Sequence, residues 1–322
     1  MVLKEIFAAG REEMCRARLL LLAVFFFFHS ASAWPGGGQH YPNGAEGFLC
    51  GLVPGPGIYL LSYSSFYHAD ELKDHHGKGV KALDLDLTVM AEALRITVFP
   101  GIKLFGADYG FYVAPVIYSA DITVEGRGLK LADDRFSGMG DMVFSPFMLG
   151  WHLNKNLHGL LSLDIMAPTG HYNPGHPATT ILSRNHWTFE PTAAMTLLMG
   201  PGIDLSFKAM LDINSSNNDY LDQFGNQHTL RPGTEFHMDF ALGIPLSEGI
   251  RIGLLGYVYQ QLAHDRLDSR TLEDDKGFVW ALGPGLRVSG ERFGLIVKGY
   301  QEISARNRPR GYGLWLKLQG RF

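Results

Sequence analysis

The last twelve residues, Gly311–Phe322 (GYGLWLKLQGRF), alternate between two kinds of side chain. One face of an extended strand carries Tyr312, Leu314, Leu316, Leu318 and Phe322, and the other carries Gly313, Trp315, Lys317, Gln319 and Arg321. A final strand that ends on an aromatic residue of its apolar face is typical of outer-membrane β-barrels. The stretch therefore predicts a membrane-spanning strand, with Phe322 as the signal for the barrel-assembly machinery.

The same two-residue period recurs upstream. Between 203 and 214 the apolar face holds Ile203, Leu205, Phe207, Ala209, Leu211 and Ile213, opposite Asp204, Ser206, Lys208, Met210, Asp212 and Asn214. Similar segments, each bounded by Gly, Pro, Asn or Asp, predict about twelve strands. The connections between them alternate in length. Long ones are expected at 69–81, 122–138, 168–185, 215–234, 263–276 and 305–310, and short ones near 106–107, 154–156, 200–202, 247–249 and 290–291.

Short turns at one rim and long loops at the other indicate an up-and-down antiparallel barrel rather than a soluble sandwich. In hydrocarbon every backbone N–H and C=O needs a partner within the protein, so a sheet crosses the bilayer only when it closes. We therefore predict an all-β fold, a transmembrane barrel over 58–322. Its apolar face would meet outer-membrane lipid and lipopolysaccharide, and its polar face would line the lumen.

Composition excludes several other classes. Charged residues make up 19% of the 322, against the roughly 25% of a soluble domain, and the net charge is -4. A polybasic nucleic-acid binder would not be acidic, so no nucleic-acid partner is expected. Two cysteines are too few for a disulfide scaffold. The longest clean apolar run is ten residues, 19–28, which is too short for a spanning helix.

That apolar run is predicted to be the centre of a cleaved signal peptide over residues 1–33. Lys4, Arg11, Arg16 and Arg18 precede it, and Ala31-Ser32-Ala33 follows as a small-residue cleavage site. The mature chain would start at Trp34, keep Cys50 as its one cysteine, and reside in the bacterial outer membrane.

Several short motifs occur along the mature chain in a fixed order. They are His40-Tyr41-Pro42-Asn43-Gly44-Ala45-Glu46-Gly47, Pro54-Gly55-Pro56-Gly57-Ile58-Tyr59, Gly138-Met139-Gly140-Asp141, Gly150-Trp151-His152, Ala167-Pro168-Thr169-Gly170, Trp187-Thr188-Phe189-Glu190-Pro191, Tyr259-Gln260-Gln261, Ala281-Leu282-Gly283-Pro284 and Asn307-Arg308-Pro309. With these motifs the chain resembles the family named for the meta pathway of phenol degradation, also called SphA-like outer-membrane proteins. It departs from the family pattern at 230–235, where Leu230-Arg231-Pro232-Gly233-Thr234-Glu235 stands. The resemblance implies an outer-membrane barrel that moves hydrophobic or aromatic compounds.

Strand alternation places a set of polar residues in the lumen. We expect these to be Glu190, Lys208, Asp212, Glu235, His237, Asp239, Lys298 and Glu302. Two interpretations are open: cross-strand ion pairs that fill the interior, or a polar wall that guides a solute. About twelve strands suit a narrow pore or a ligand cavity.

Glu235, His237 and Asp239 share one face of a strand, which admits a metal or acid–base group. A triplet on one strand lacks further ligands, so no metal and no cofactor are predicted. A lipid hydrolase would need a Ser–His pair reachable from lipid, and the inferred lipid faces show none; Ser183 and His186 lie close in sequence, but within a loop. No catalytic residue is therefore assigned. A lipid-modifying hydrolase and a purely structural or surface-interaction barrel remain the alternatives.

Residues 34–57 hold too many Gly and Pro residues for a strand. The segment is either a loose periplasmic leader or, as we hypothesise, a plug inside the lumen. Prolines within strand patterns remove ladder donors, and we hypothesise that they kink the wall and open gaps between strands. These are Pro115, Pro146, Pro191, Pro245 and Pro284. The function predicted is a channel or transporter for small hydrophobic molecules, aromatic ones among them.

Overall fold

The computed structural model describes residues 40–222 and 225–322, together with the side chains of all of these except residue 182. The predicted signal peptide over 1–33 and residues 34–39 of the predicted plug lie outside this part of the chain.

Within the described residues, antiparallel strands dominate and a single short helix interrupts one loop. The helix is α1 (Pro177–Leu182). The strands are β1 (Gly57–Lys73), β2 (Asp84–Phe99), β3 (Lys103–Leu104), β4 (Ala107–Ala114), β5 (Val116–Gly126), β6 (Leu129–Met139), β7 (Met142–His152), β8 (Leu157–Ala167), β9 (Thr188–Met199), β10 (Ile203–Asn214), β11 (Asn217–Leu221), β12 (Gln227–Arg231), β13 (Glu235–Ser247), β14 (Ile250–Gln261), β15 (Arg266–Leu267), β16 (Arg270–Thr271), β17 (Phe278–Ser289), β18 (Phe293–Arg306) and β19 (Arg308–Arg321). No described helix is long and apolar enough to cross a membrane.

Twelve spanning strands close into a barrel, as predicted. The first, β1, pairs with both β2 and the last strand, β19, which removes the free edge. Two of the twelve are broken in the middle: β4 continues as β5, and β6 continues as β7. We call the end with connections such as 153–156, 200–202 and 248–249 the short-turn rim, and the opposite end the long-loop rim.

Burial along the strands is inverted relative to a soluble protein. On β10 the buried positions are Asp204, Ser206, Lys208, Met210, Asp212 and Asn214. On β19 the apolar Tyr312, Leu314, Leu316 and Leu318 are exposed, whereas Trp315 and Lys317 are buried. The alternation read from the sequence is therefore confirmed, because exposed apolar side chains form the outer belt that lipid would cover.

Four predicted connections differ from the structure. Residues 122–138 were expected to form a long loop, but they belong to β5 and β6, which turn tightly at Arg127-Gly128. The predicted loop 305–310 is reduced to Asn307 between β18 and β19. Parts of 215–234 and 263–276 form a small sheet of β11, β12, β15 and β16. In each case pairing with other strands orders residues that propensity alone predicts as loop.

The wall is irregular around β6 and β7. The far edge of β6 pairs with no strand in the described part of the chain, since β5 is its one strand partner there and β8 stops at Ala167, before Pro168. The loop after β8 covers this edge instead. The backbone N–H of His171 donates to the Met139 carbonyl over 3.0 Å, and the His171 ring stacks on Phe136 at 4.7 Å.

Prolines accompany several irregularities of the ladder. Pro115 separates β4 from β5. The register of β7 shifts around Pro146 against β8, between Phe144 and Phe147, and the pairing of β13 with β14 shifts just after Pro245. Pro191, in contrast, pairs with its neighbour on β8 without a shift.

Candidate functional site

Residues 40–56 run through the inside of the barrel, and we call them the lumen segment. The segment turns at residues 44–46, and Asp239 in the middle of β13 holds this turn. The carboxylate accepts hydrogen bonds from the Tyr41 hydroxyl (2.7 Å) and from the backbone N–H groups of Gly44 (2.9 Å) and Glu46 (3.0 Å). One buried carboxylate therefore satisfies three donors of a segment that has no strand partner of its own.

Lys298 of β18 holds the other side of the same turn. Its ammonium group donates to the backbone carbonyls of Gly44, Ala45 (2.7 Å) and Glu46 (2.9 Å). Gly44 has a positive φ of 78°, and a Cβ there would lie 2.7 Å from the ring of Tyr300. The turn thus requires glycine at this position both for its conformation and for its close approach to the wall.

Glu46 points its carboxylate at a basic part of the wall. Lys317 Nζ lies 2.6 Å from Oε2, and the Tyr63 hydroxyl donates to Oε1 over 2.9 Å. Arg95 Nη1 approaches Oε1 to 3.4 Å. These contacts compensate for taking the Glu46 charge out of water.

The lumen segment spans the barrel lengthwise. Near the long-loop rim, His40 contacts Thr188, the first residue of β9, over 2.7 Å. Near the short-turn rim, the N–H of Gly51 donates to Thr196 Oγ1 over 3.0 Å. A Cβ on Gly51 would lie 2.5 Å from the backbone of Met195, so the segment presses directly against the wall here.

Asp141, in the break between β6 and β7, binds both the loop after β8 and the start of the lumen segment. One oxygen accepts from Ser183 Oγ (2.7 Å) and the Gly170 N–H (2.9 Å), and the other from His40 Nε2 (2.7 Å) and the Arg184 N–H (2.9 Å). These four donors compensate for the burial of the Asp141 carboxylate.

The lumen segment divides the interior into chambers. The outer chamber, on the long-loop side, has a volume of about 220 Å³, and the inner one, toward the short turns, about 370 Å³. The outer chamber contacts Tyr41 and Pro42 of the segment, and the inner one contacts Glu46 and Phe48. Aromatic side chains line the outer chamber: Phe66, Tyr67, Tyr118, Tyr257, Tyr300 and Trp315.

A cluster of buried acids lies beside these chambers. Asp212 of β10 faces Glu235 of β13 across the ladder, and His237 Nε2 lies 3.2 Å from Asp212 Oδ2 and 3.8 Å from Glu235 Oε2. Glu190 of β9 pairs with Asp164 of β8 close by. All of these side chains are almost completely buried.

A family model described as the MetA-pathway of phenol degradation matches residues 69–318. The chain belongs to this family. No curated protein matches it. The family model covers every barrel strand at least in part, and it begins after the lumen segment.

Solved structures extend the comparison to the fold. The COG4313 outer membrane channel from Pseudomonas putida F1 is 17% identical, with a TM-score of 0.71, over 88% of this chain and 100% of that one. The translocator domain of the autotransporter NalP from Neisseria meningitidis is 10% identical (TM-score 0.49; 84% and 90%). A TodX monoaromatic hydrocarbon channel is 9% identical (TM-score 0.47; 87% and 92%). With its closed twelve-strand wall, this member of the phenol-degradation family is an outer-membrane β-barrel.

The eight residues predicted for the lumen are buried inside the barrel, where they have different partners. Asp239 and Lys298 hold the lumen segment, and Lys208 approaches Asp164 to 3.8 Å. Glu302 lines the outer chamber and accepts from the hydroxyls of Tyr67 (3.0 Å) and Tyr257 (2.9 Å). The other four form the acidic cluster: Glu190, Asp212, Glu235 and His237.

Sequence reasoning left out several residues that organise this interior. Asp141 was part of a quoted motif, but nothing in its sequence position shows that it binds a loop more than forty residues away. Tyr41 and Glu46 were within the predicted plug without assigned partners. For Glu46 the sequence did contain a signal, because alternation on the final strand points Trp315 and Lys317 inward. Lys317 contacts Glu46, and Trp315 lines the outer chamber.

Proposed function

We propose that this protein is a channel that admits small hydrophobic, and in particular aromatic, molecules across the outer membrane. The observation that carries the proposal is the outer chamber. An apolar cavity of about 150 Å³ is enough to bind benzene, so the 220 Å³ chamber, with six aromatic side chains of the barrel wall and Tyr41 of the lumen segment, accommodates a substituted single ring. The family description names phenol, a compound with a single aromatic ring, as well.

The polar groups of the chamber suit a ring that carries a hydroxyl or carboxyl group. Glu302, Arg184 and Arg308 reach the cavity among the aromatic residues. A few polar groups in an otherwise apolar pocket orient a ligand while the ring surfaces supply most of its contact area. Arg184 and Arg308 would attract an anionic substituent.

The route from the chamber to the membrane would pass beside β6. The chamber is lined by Val143 of β7, Met166 of β8 and Ile181 of α1, which border the place where β6 lacks a second strand. A solute that is more soluble in lipid than in water would leave through this gap in the wall rather than through the charged lumen. Displacement of the loop after β8 would open it.

The lumen segment would act as a plug. The division of the mature chain into a plug over 34–57 and a barrel over 58–322 is part of this proposal. The lumen segment lies between the outer and inner chambers and is fixed by Asp239 and Lys298. In this arrangement the lumen-lining residues hold the segment or one another, and Glu302 alone among them meets the solute. These residues are Glu190, Lys208, Asp212, Glu235, His237, Asp239, Lys298 and Glu302. Lipopolysaccharide around the outer belt and the assembly machinery at Phe322 complete the proposed partners.

Uptake tests the proposal directly. Cells that lack the gene would take up a labelled panel of phenol, benzoate and toluene more slowly than complemented cells, and uptake of a sugar of similar mass would be unchanged. Equal rates for every compound in the two strains would contradict a channel function and favour a structural barrel.

We propose further that the barrel is not an enzyme. The hydroxyl of Ser183 donates to Asp141, and His186 contacts the carbonyl of Trp187 and the Thr188 hydroxyl, so no hydrogen bond joins these two described residues. Burial and the neighbouring His40 lower the pKa of His186 to about 3, a poor value for a general base. Turnover of a phospholipid or an ester by purified protein, lost in Ser183→Ala, would overturn this assignment.

A further inference from the structure

Asp212, Glu235 and His237 bring three metal-binding atoms together in the barrel wall. One oxygen of each carboxylate and one ring nitrogen of the histidine lie within 4.8 Å of one another, and all three side chains are completely buried. Asp212 is on β10, and Glu235 and His237 are two positions apart on β13. The set therefore draws on two paired strands and does not depend on a flexible loop.

The carboxylate of Glu235 has unused capacity to accept hydrogen bonds or bind a cation. Neither of its oxygens has a hydrogen-bond partner among the described residues, and Oδ1 of Asp212 and Oε2 of Glu190 lack one too. Buried carboxylate oxygens in folded proteins nearly always accept hydrogen bonds or bind a cation. Arg184 attracts Glu235 electrostatically but donates no hydrogen bond to it. The carboxylate oxygens of this cluster can thus accept more hydrogen bonds, or bind a cation, beyond what the surrounding protein supplies.

The histidine is oriented as a metal ligand. Its Nδ1 lies 2.9 Å from the side-chain oxygen of Asn43 in the lumen segment, so Nδ1–H donates there and Nε2 faces the carboxylates. An outer hydrogen bond of this kind fixes the tautomer of histidines that bind metals. Two ligand atoms 2.0–2.2 Å from a tetrahedral ion lie about 3.3 Å apart, close to the observed 3.2 Å and 3.8 Å from Nε2.

We propose that Asp212, Glu235 and His237 bind a divalent first-row transition ion such as Zn²⁺. A set of one imidazole and two carboxylates suits these ions better than Ca²⁺ or Mg²⁺, which prefer oxygen alone. The ion takes Nε2 of His237 and one oxygen from each carboxylate. Through Asn43, the bound ion also strengthens the hold of the wall on the lumen segment. The triplet Glu235, His237 and Asp239 is not the ligand set, because Asp239 is committed to the segment's turn.

The test uses the full chain, purified from outer membranes in detergent with a tag that contains no histidine. The protein is stripped with EDTA, incubated with Zn²⁺, desalted and analysed by elemental mass spectrometry. We expect about one zinc per wild-type chain. We expect at least a tenfold loss of zinc in His237→Gln and in Glu235→Gln, with EDTA lowering the wild-type melting temperature but not that of either variant.

A second pair of histidines provides the matched control. His152 and His158, near the short-turn rim, have Nδ1 atoms 2.7 Å apart, and they are where zinc would bind if the buried cluster were not the site. The double variant His152→Ala/His158→Ala should keep the stoichiometric zinc. Heat-dependent migration on gels confirms folding of each variant, and Asp212→Asn replaces any that fails. Absence of zinc in the wild type, or loss of zinc in the control alone, would overturn the proposal.

Discussion

The hydroxyl of Tyr41 donates to Asp239 over 2.7 Å and so joins the start of the lumen segment to a wall strand 198 positions later. The same carboxylate also binds two backbone N–H groups of the segment. Because a buried carboxylate with three donors is costly to disrupt, this contact fixes the segment more strongly than an exposed ion pair would.

Replacement of Asp239 by Ala should release the turn of the lumen segment. The Gly44 and Glu46 N–H groups would lose their acceptor, at a cost of about 1–3 kcal/mol for each unsatisfied buried group. We expect larger and noisier single-channel conductance in planar bilayers than in the wild type. Asp204→Asn is the matched control, because Asp204 is a buried acid of the neighbouring strand that contacts Arg251 rather than the segment. Equal conductance in Asp239→Ala and the control would show that the segment does not obstruct the lumen.

Asp141→Ala should loosen the loop after β8. The change removes the acceptor for Ser183, Gly170, Arg184 and His40 together. We expect faster proteolytic cleavage within 168–187 and faster uptake of aromatic solutes, since this loop covers the unpaired edge of β6. Asp134→Ala, which loses the hydrogen bond from the Ala178 N–H and a longer contact to His176, should have a smaller effect on both. A cleavage rate like that of the wild type would contradict the role of Asp141 as the organiser of this loop.

Trp315→Ala should enlarge the outer chamber. Trp315 is the bulkiest side chain in its lining and is buried. We expect relative uptake to shift toward two-ring compounds, with single rings bound less tightly because they lose contacts with the wall. Leu314→Ala, on the outer face of the same strand, provides the control and should leave selectivity unchanged. The same selectivity in all three proteins would remove the chamber from the solute path.

The stability of the loop between β14 and β17 should depend on pH through Asp265. Burial, with repulsion from Asp275, raises its pKa to about 8 from an ordinary value of 3.8. The folded loop therefore holds the proton more tightly than the unfolded chain does, so its stabilisation is greatest below about pH 4 and is lost as the pH rises through 8. Hydrogen-exchange protection of the Gly233 N–H, which donates to Asp265, should fall between pH 7 and 9.

The neutral isostere should abolish that pH dependence. Asp265→Asn keeps an oxygen for the Gly233 N–H and for Gln261 Nε2 but cannot ionise. Protection in this variant should stay level from pH 7 to 9 after correction for the intrinsic exchange rate. A parallel decline in both proteins would assign the effect to another group.

Pro146→Val should regularise the wall, if the proline keeps the ladder irregular. Pro146 lies in a register shift between β7 and β8, and valine restores an N–H donor. We expect slower uptake of aromatic solutes, because the gap near β6 would narrow. Pro191→Val is the control, since its ladder has no shift. Uptake at the wild-type rate in Pro146→Val would reject the kink hypothesis.

The barrel was predictable because its governing pattern is local. A two-residue period decides which side of a strand each residue occupies, so Lys208 and Asp212 could be assigned to the interior from their neighbours alone. The closing strand was predictable for the same reason. The extension of β5 and β6 was not, because residues 122–138 alternate less cleanly and are held by pairing with each other.

The arrangement of the interior depends on contacts between distant residues. Sequence placed His237 beside Glu235 and Asp239, but the ladder brings Asp212 to it from β10 and assigns Asp239 to the lumen segment. Likewise, the fold brings Asp141 to His40, although 101 positions separate them. No periodicity encodes such pairs, so the acidic cluster and the path of residues 40–56 required the structure.

Lys298 and Asp239 grip the lumen segment chiefly by its peptide groups, through three carbonyls and two N–H groups. Peptide groups are common to every amino acid, so this hold is indifferent to most of the side chains it secures. The hold would survive a change of side chain, but packing sets a separate limit, because Ala45 is buried and a methyl group on Gly44 would meet Tyr300. Divergence between homologous chains in this stretch should therefore be limited by the space inside the barrel rather than by the hydrogen bonds.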